Sequence, residues 1–180
     1  VEAITTASFK KFGMVDVLIN NAAVRPHAPF LKTQGKQWET VINVNMNGPI
    51  WLARALLPSM ISNKWGRIIN FTGMNAQRGY PGASAVSISK HALWGLTKAL
   101  AVEFGPNGIT TNIISPGTFP PQIEDIYLSK KYQTLLANNP SGRLGNSTDI
   151  GGMIAYLCSE KGGFVNGQML QINGGAAIQY

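Results

Sequence analysis

The segment GRIINFTGMNAQRGYPGASAVSISKHALWGLTKALAVEF, residues 66–104, predicts a strand, a glycine-containing loop and a long helix. Its first part, Gly66–Thr72, is an apolar and β-branched run that is typical of a strand covered on both faces. The helix is predicted to begin near Ser84, and Gly105 and Pro106 predict its end through a left-handed C-cap and a helix stop. The apolar positions at helical spacing are Ile88, Ala92, Leu96 and Ala99.

The composition predicts one domain whose surface is partly covered. A chain of 180 residues with 44% hydrophobic residues is long enough to bury one sizeable core, so residues 1–180 are interpreted as a single domain. Charged residues make up only 13% of the chain, which leaves few side chains for a solvated surface. We therefore expect other subunits, or parts of the protein outside this sequence, to cover much of the exterior.

Charge and residue usage argue against several classes of function. The formal charge of +7 comes from 15 Lys and Arg against 8 Asp and Glu, scattered along the chain, so no basic run predicts a nucleic-acid site. Cys158 is the only cysteine, which excludes an internal disulfide and suits a reducing cytoplasm. His27 and His91 stand apart from other ligand types, so no metal site is predicted. No stretch approaches the roughly 20 apolar residues of a membrane span.

Helices and strands alternate along the chain. Further strands are predicted over Val15–Asn20, over Ile109–Ser115 and within Gly167–Gly175. Further helices are predicted over residues 1–13, from near residue 33, and from a capping hydroxyl beside Asn146, with Asp149 in its first turn, to about residue 158. This alternation predicts an α/β fold with a doubly wound parallel sheet, which binds ligands beyond the carboxyl ends of its strands.

Polar or glycine-containing motifs follow these strands. The motif Asn20-Asn21-Ala22-Ala23 follows the first strand, Pro116-Gly117 follows the third and Gly174-Gly175 follows the last. Asn45 lies in the Asn-rich stretch before one long helix, and Lys90 lies within the other long helix. In order and spacing the set resembles the classical short-chain dehydrogenase/reductase family over all 180 residues. The resemblance implies the C-terminal two-thirds of a Rossmann-like domain.

The resemblance also implies roles for individual residues. Asn45 and Lys90 are its candidate catalytic residues. The candidate residues for binding NAD or NADP are Asn20, Asn21, Ala22, Lys90, Pro116 and Gly117. For the Asn-Asn-Ala-Ala motif a second interpretation stays open, a strand-to-loop turn in which the Asn side chains satisfy local backbone groups.

Two positions depart from the family pattern. Val86, four residues before Lys90, stands where the family carries its catalytic tyrosine, and Gly73 stands where it usually carries a serine. A phenol, with a pKa of about 10, is tuned toward neutrality by a neighbouring ammonium, whereas valine has no such proton. Tyr80 and Thr72 are the nearest alternative sources of a phenol and a hydroxyl. The resemblance also implies that a threonine, which binds cofactor phosphate or carboxamide, usually stands four residues after Gly117, where this chain has Pro121.

The Asn-rich stretch Asn43–Pro49 predicts a kinked helix. Pro49 has no N–H, so the carbonyl of Asn45 loses its helical partner and must find another. The resemblance implies that this carbonyl holds a water linked to Lys90 in a proton relay. The alternative is a kink that serves packing alone.

The glycine-rich phosphate fingerprint of dinucleotide-binding domains occurs nowhere in the 180 residues. By resemblance the sequence begins at the third helix of the family fold, so we expect the natural protein to contain an N-terminal part that is not recorded here. Without such a part, the Val15–Asn20 strand would be a hydrophobic sheet edge. The segment from Pro120 to Gly142 is predicted to cover the substrate.

Two functional hypotheses follow. The first is a short-chain dehydrogenase/reductase-type oxidoreductase that transfers hydride between NAD(P) and a small carbonyl or alcohol, with weak or altered activity because Val86 and Gly73 replace the usual groups. The second is a non-catalytic oligomerisation or scaffold module. The resemblance implies a homodimer or homotetramer built on the two long helices, with Trp51 and Trp94 as candidate anchors. The substrate and the choice between NAD and NADP are not encoded in these motifs.

Overall fold

A four-stranded parallel sheet organises the chain in the computed structural model, which describes residues 1–121, 126 and 129–178. The strands are β1 (Val17–Asn20), β2 (Gly66–Phe71), β3 (Ile109–Pro116) and β4 (Met169–Ile172). They lie in the order β1-β2-β3-β4, and every neighbouring pair is parallel. The α/β fold with a parallel sheet is therefore confirmed.

Seven α-helices connect and cover the strands within the described residues. They are α1 (Glu2–Phe12), α2 (Gly35–Ile42), α3 (Gly48–Asn63), α4 (Met74–Arg78), α5 (Ser84–Phe104), α6 (Lys130–Ala137) and α7 (Ser147–Leu157). The sequence predicted a glycine-containing loop where the short helix α4 lies, and it gave no signal for α6. A π-helix over Asn43–Asn47 joins α2 to α3, at the place where a kink was predicted.

The core lies on both faces of the sheet. On one face Leu18, Ile68 and Ile109 pack against α3. On the other face Ile69 and its neighbours on β2 and β3 pack against α7. Because consecutive residues of a strand point to opposite faces, the fully buried Ile68 packs in one layer of the core and Ile69 packs in the other. Helices on both faces are the arrangement that a doubly wound sheet requires.

The buried face of α5 differs from the predicted one. Ile88 is 50% exposed and Ala99 is exposed, whereas the residues turned inward are Ala85, Val86, Ser89, Lys90, Leu93, Thr97, Leu100 and Ala101. The prediction failed because polar residues occupy part of the inward face, so a count of apolar residues selects the wrong side of the helix. The side that it selected is left partly open.

Two predicted helix caps are also corrected. Gly105 has a φ of −52° and starts a 3₁₀ turn over Gly105–Asn107, so it is not the left-handed cap. That conformation falls on Gly108, with a φ of 76°. At the start of α7 the cap is the amide side chain of Asn146 rather than a hydroxyl, and Asp149 completes a capping box with it.

Several large apolar side chains remain exposed. They include Ile19 on the edge strand β1, Trp51 on α3 and Ile88 on α5, which are 44%, 52% and 50% exposed. Such side chains are suited to cover by another protein surface. Among the residues described, no helix combines the length and apolar character needed to cross a membrane.

Candidate functional site

A cavity of about 150 Å³ opens beyond the carboxyl ends of β2 and β3. Its lining consists of Arg25, Thr72, Gly73, Met74, Asn75, Ala76, Tyr80, Val86, Lys90, Pro116, Gly117 and Thr118. Parallel sheets bind their ligands at this edge because the loops that follow the strands meet there. The cavity is therefore the candidate functional site.

Lys90 supplies the buried charge of the cavity. It is only 3% exposed, and its Nζ donates a hydrogen bond to the backbone oxygen of Phe71, the last residue of β2, at 2.7 Å. Burial, followed by repulsion from the charge of Arg25, lowers the pKa of Lys90 from 10.5 to about 8. An ammonium has three N–H donors, so two remain for a ligand after the bond to Phe71.

Val86 and Gly73 line the same cavity as Lys90. Val86 precedes Lys90 by about one helical turn, is 4% exposed and packs with Val41, Ala83 and Ala85 in a small apolar cluster. Gly73 has an extended φ of 177°, and a Cβ added to it would meet no atom within 4 Å. The positions that the resemblance assigns to tyrosine and serine thus meet in space, but neither carries an ionisable group.

Asn45 is fully buried and does not belong to the lining of this cavity. Its side-chain oxygen accepts a hydrogen bond from the N–H of Val24 at 2.8 Å, and its Nδ2 donates to the oxygen of Val24 at 2.9 Å. The same Nδ2 lies 3.3 Å from Oγ of Ser89 on α5. Asn45 therefore clamps the loop after β1 onto two helices, and its predicted role in a proton relay stays a prediction.

The Asn20 side chain bonds across the sheet rather than within its own turn. Its Nδ2 donates to Oδ1 of Asn70 at 2.8 Å, and Nδ2 of Asn70 donates to Oγ1 of Thr97 on α5 at 2.9 Å. This network fixes the carboxyl ends of β1 and β2 against α5. Asn21 and Ala22 are exposed, and their contact with a nucleotide stays a prediction.

The turn after β3 brings Pro116 and Gly117 to the cavity. The N–H of Gly117 donates to the oxygen of Ile172 at 2.9 Å. A Cβ on Gly117 would lie 2.7 Å from Cα of Asn173, closer than side chains come to backbone, so only glycine fits this turn. Thr118, the next residue, offers a hydroxyl to the lining that the motif search did not identify.

Arg25 is the main site residue that sequence reasoning missed. It lies two residues after the motif Asn20-Asn21-Ala22-Ala23 and is exposed at the cavity. Its one signal in the sequence was a cation in the loop that follows a strand, a region where parallel sheets bind ligands. Within the described residues, no cluster of three or more His, Cys, Asp or Glu side chains forms a metal site.

Comparison with known proteins gives the chain its family. The family model described as enoyl-(acyl carrier protein) reductase matches residues 1–177. A dehydrogenase subunit from Thauera aromatica, (2S)-[(R)-hydroxy(phenyl)methyl]succinyl-CoA dehydrogenase subunit BbsD, is 34% identical over 178 residues, covering 99% of this chain and 71% of the relative. The 3-oxoacyl-[acyl-carrier-protein] reductase FabG of Haemophilus influenzae is 32% identical over 164 residues, covering 91% of this chain and 68% of the relative.

A solved structure agrees with these matches. The gluconate 5-dehydrogenase of Burkholderia cenocepacia, crystallised with NADP and tartrate, superposes with a TM-score of 0.87 at 28% identity, over 98% of this chain and 71% of that one. The family model, these relatives and this structure each cover nearly the whole chain, and the TM-score agrees with the parallel-sheet fold. The chain belongs to the short-chain dehydrogenase/reductase family.

Proposed function

We propose that this protein is an NAD(P)-dependent oxidoreductase that acts on a small carbonyl or alcohol, with weak or altered turnover. Lys90 carries the proposal. Its buried ammonium has two N–H donors to spare and lies among Thr72, Pro116 and Gly117 at the carboxyl ends of the strands. When bound, the nicotinamide would donate or accept the hydride.

The donor set around Lys90 fits the sugar end of a nicotinamide nucleotide. An ammonium and two threonine hydroxyls, of Thr72 and Thr118, suit ribose hydroxyls, which both donate and accept hydrogen bonds. The Asn20–Asn70 network supports this set because it fixes two strand ends against α5. No glycine-rich phosphate loop occurs in these 180 residues, so the proposal assigns to them the nicotinamide and ribose only.

The altered chemistry follows from Val86. Valine cannot donate a proton to a carbonyl oxygen or take one from an alcohol, which is the usual duty of a general acid or base. The Lys90 ammonium still supplies positive charge to that oxygen, and in this proposal its role is electrostatic. Tyr80 lines the same cavity and is 37% exposed, which makes its phenol the remaining candidate for proton exchange.

The alternative is a non-catalytic scaffold, and the packing of Val86 favours it. The side chain is buried in an apolar cluster with Val41, Ala83 and Ala85, so the position has become part of the core. In this alternative the exposed side chains of Trp51 and Ile88 pair with a second copy to form a homodimer or homotetramer in the cytoplasm. Sedimentation velocity would then report an oligomer that dissociates when Trp51 is replaced by serine.

Nucleotide binding tests the oxidoreductase proposal without requiring turnover. Fluorescence titration with NADH and with NADPH should give saturable binding, and Lys90→Met should raise the Kd about 10- to 100-fold because one or two charged hydrogen bonds are lost. Lys98→Met is the matched control: Lys98 is exposed on the same helix, with its Nζ 5.1 Å from the centre of the Trp94 ring. Binding of neither nucleotide would contradict the proposal, and an equal effect of both variants would remove the role of Lys90.

Binding and turnover together separate the two functions. Nicotinamide-linked conversion of carbonyl compounds, reduced by Lys90→Met, would support an enzyme. Tight oligomerisation with no nucleotide binding would support the scaffold.

A further inference from the structure

The candidate cavity contains two cationic side chains and, within the described residues, no carboxylate. Arg25 and Lys90 both line it, and none of its lining residues is Asp or Glu. Their charges act on each other, since Arg25 contributes to the lowered pKa of Lys90. Two like charges around a cavity of about 150 Å³ raise the local concentration of anions.

In a neighbouring cavity, by comparison, an arginine is paired with a carboxylate. This second cavity has a volume of about 290 Å³, shares Thr118 with the first and contains Arg143 and Asp149. Arg143 donates two hydrogen bonds of 2.7 Å to the Asp149 carboxylate, which neutralises its charge. By contrast, Arg25 makes no side-chain hydrogen bond or ion pair with any other described residue.

The backbone that carries Arg25 is held in place. Asn45 makes two hydrogen bonds to the backbone of the preceding residue, Val24, and is itself fully buried. The following residue is Pro26, whose ring fixes its own φ and restricts the conformation of Arg25. The backbone at Arg25 is therefore already constrained, which lowers the backbone part of the entropic cost when the guanidinium binds a ligand.

We propose that Arg25 binds a carboxylate of the substrate, so that the substrate is a small organic acid that also bears the reacting carbonyl or hydroxyl. A guanidinium matches a carboxylate in plane and can donate two parallel hydrogen bonds to it. Lys90 adds positive potential to the same cavity while its remaining N–H donors serve the ribose. This inference rests on the proposed function for the reacting group, but binding of the carboxylate itself requires no turnover.

Calorimetric titration tests the proposal with malonate as the carboxylate probe and malonamide as its neutral counterpart. We expect malonate to bind and malonamide not to bind. Arg25→Gln should weaken malonate binding about tenfold or more, because a charged bidentate contact is lost. Arg54→Gln is the matched control, since Arg54 is an exposed arginine on α3 outside the lining of this cavity. Thermal unfolding of both variants should match the parent protein.

Nicotinamide mononucleotide serves as the phosphate probe and separates the two sources of an anion. If Arg25→Gln weakens its binding but not that of malonate, the anion is a cofactor phosphate and the proposal is overturned. Absence of malonate binding, or equal malonate binding by the parent protein and Arg25→Gln, also overturns it.

Titration with NADH separates failure of the carboxylate site from failure of the oxidoreductase proposal. Retained NADH binding with no effect of Arg25→Gln on malonate binding refutes only the carboxylate site. Malonate binding that depends on Arg25, without any nucleotide binding, refutes only the oxidoreductase.

Discussion

Restoring the phenol and the hydroxyl should restore turnover. In the double variant Val86→Tyr, Gly73→Ser, the new phenol lies one helical turn from Lys90 in the same cavity lining, and the new hydroxyl enters from the loop after β2. Gly73 accepts a side chain without collision, because a Cβ there meets nothing within 4 Å and its φ of 177° is extended. The ammonium of Lys90 would lower the pKa of the phenol, as an adjacent positive charge does.

The size of the gain follows from the role of the phenol. A positioned general acid or base contributes about 10²- to 10⁴-fold in rate, which corresponds to about 2.7 to 5.5 kcal/mol of barrier. We therefore expect at least a hundredfold rise in nicotinamide-linked turnover. The larger side chain enters a packed cluster beside Val41 and Ala83, so the double variant should lose about 1–3 kcal/mol of unfolding free energy.

The assay follows the absorbance of reduced nicotinamide with a panel of carbonyl compounds. Val86→Phe with Gly73→Ser is the matched control, because it adds the same ring without the proton and should leave turnover at the parent level. The reasoning would be refuted by a double variant that unfolds cooperatively and binds NADH, yet gains less than about tenfold over the phenylalanine control. That result would show that the site around Lys90 no longer supports hydride transfer.

Three further predictions concern stability. Gly117→Ala should lower the unfolding free energy by about 1–3 kcal/mol, because its Cβ would lie 2.7 Å from Cα of Asn173, whereas Gly73→Ala should be close to neutral in the same urea titration. With a pKa of about 8 in the folded protein against 10.5 when unfolded, Lys90 binds its proton more weakly in the folded state. The unfolding free energy of the parent protein relative to Lys90→Met should therefore rise with pH between these values, by up to about 3 kcal/mol. Asp149, whose pKa is lowered to about 2 by its hydrogen bonds to Arg143 and Asn146, stabilises α7 above the ordinary carboxyl pKa, and the advantage over Asp149→Asn should disappear in acid unfolding as the pH falls through about 2.

Much of the fold could be predicted because the apolar pattern of a strand or helix lies within its own segment of the sequence. Gly66–Phe71, buried at every position, reads as a strand without any knowledge of its neighbours. The start of α5 at Ser84 was equally clear. The buried side of that helix was not, because Lys90 and Thr97 face inward to bond with Phe71 and Asn70. A polar residue is placed inside by a partner that is distant in the chain, and a local pattern contains no information about that partner.

The residues of the candidate site likewise fall into those that the sequence identified and those that only the tertiary structure shows. Lys90, Val86 and Gly73 were identified by the family resemblance, and all three line one cavity. Arg25 was missed because its significance depends on the absence of a neutralising carboxylate among the described residues that line the cavity, which is a property of the assembled cavity. The side chain of Asn45 bonds to Val24, a loop residue whose position only the tertiary structure sets, and the expected role of the Asn45 carbonyl in a proton relay stays a prediction.

The π-helix at Asn43–Asn47 also sets the direction in which α3 faces. Each residue added to a helix turns all later positions by about 100° around its axis, so the extra residue of the wide turn acts as a rotational offset between α2 and α3. With it, Val41 packs beside Val86 while Leu56 and Met60 reach the sheet. Removing one residue from this turn would leave the length of the connection almost unchanged but would rotate Met60 off Ile68 and bring Trp51 round the helix. The five-residue π-helix thus determines which side of α3 packs into the core.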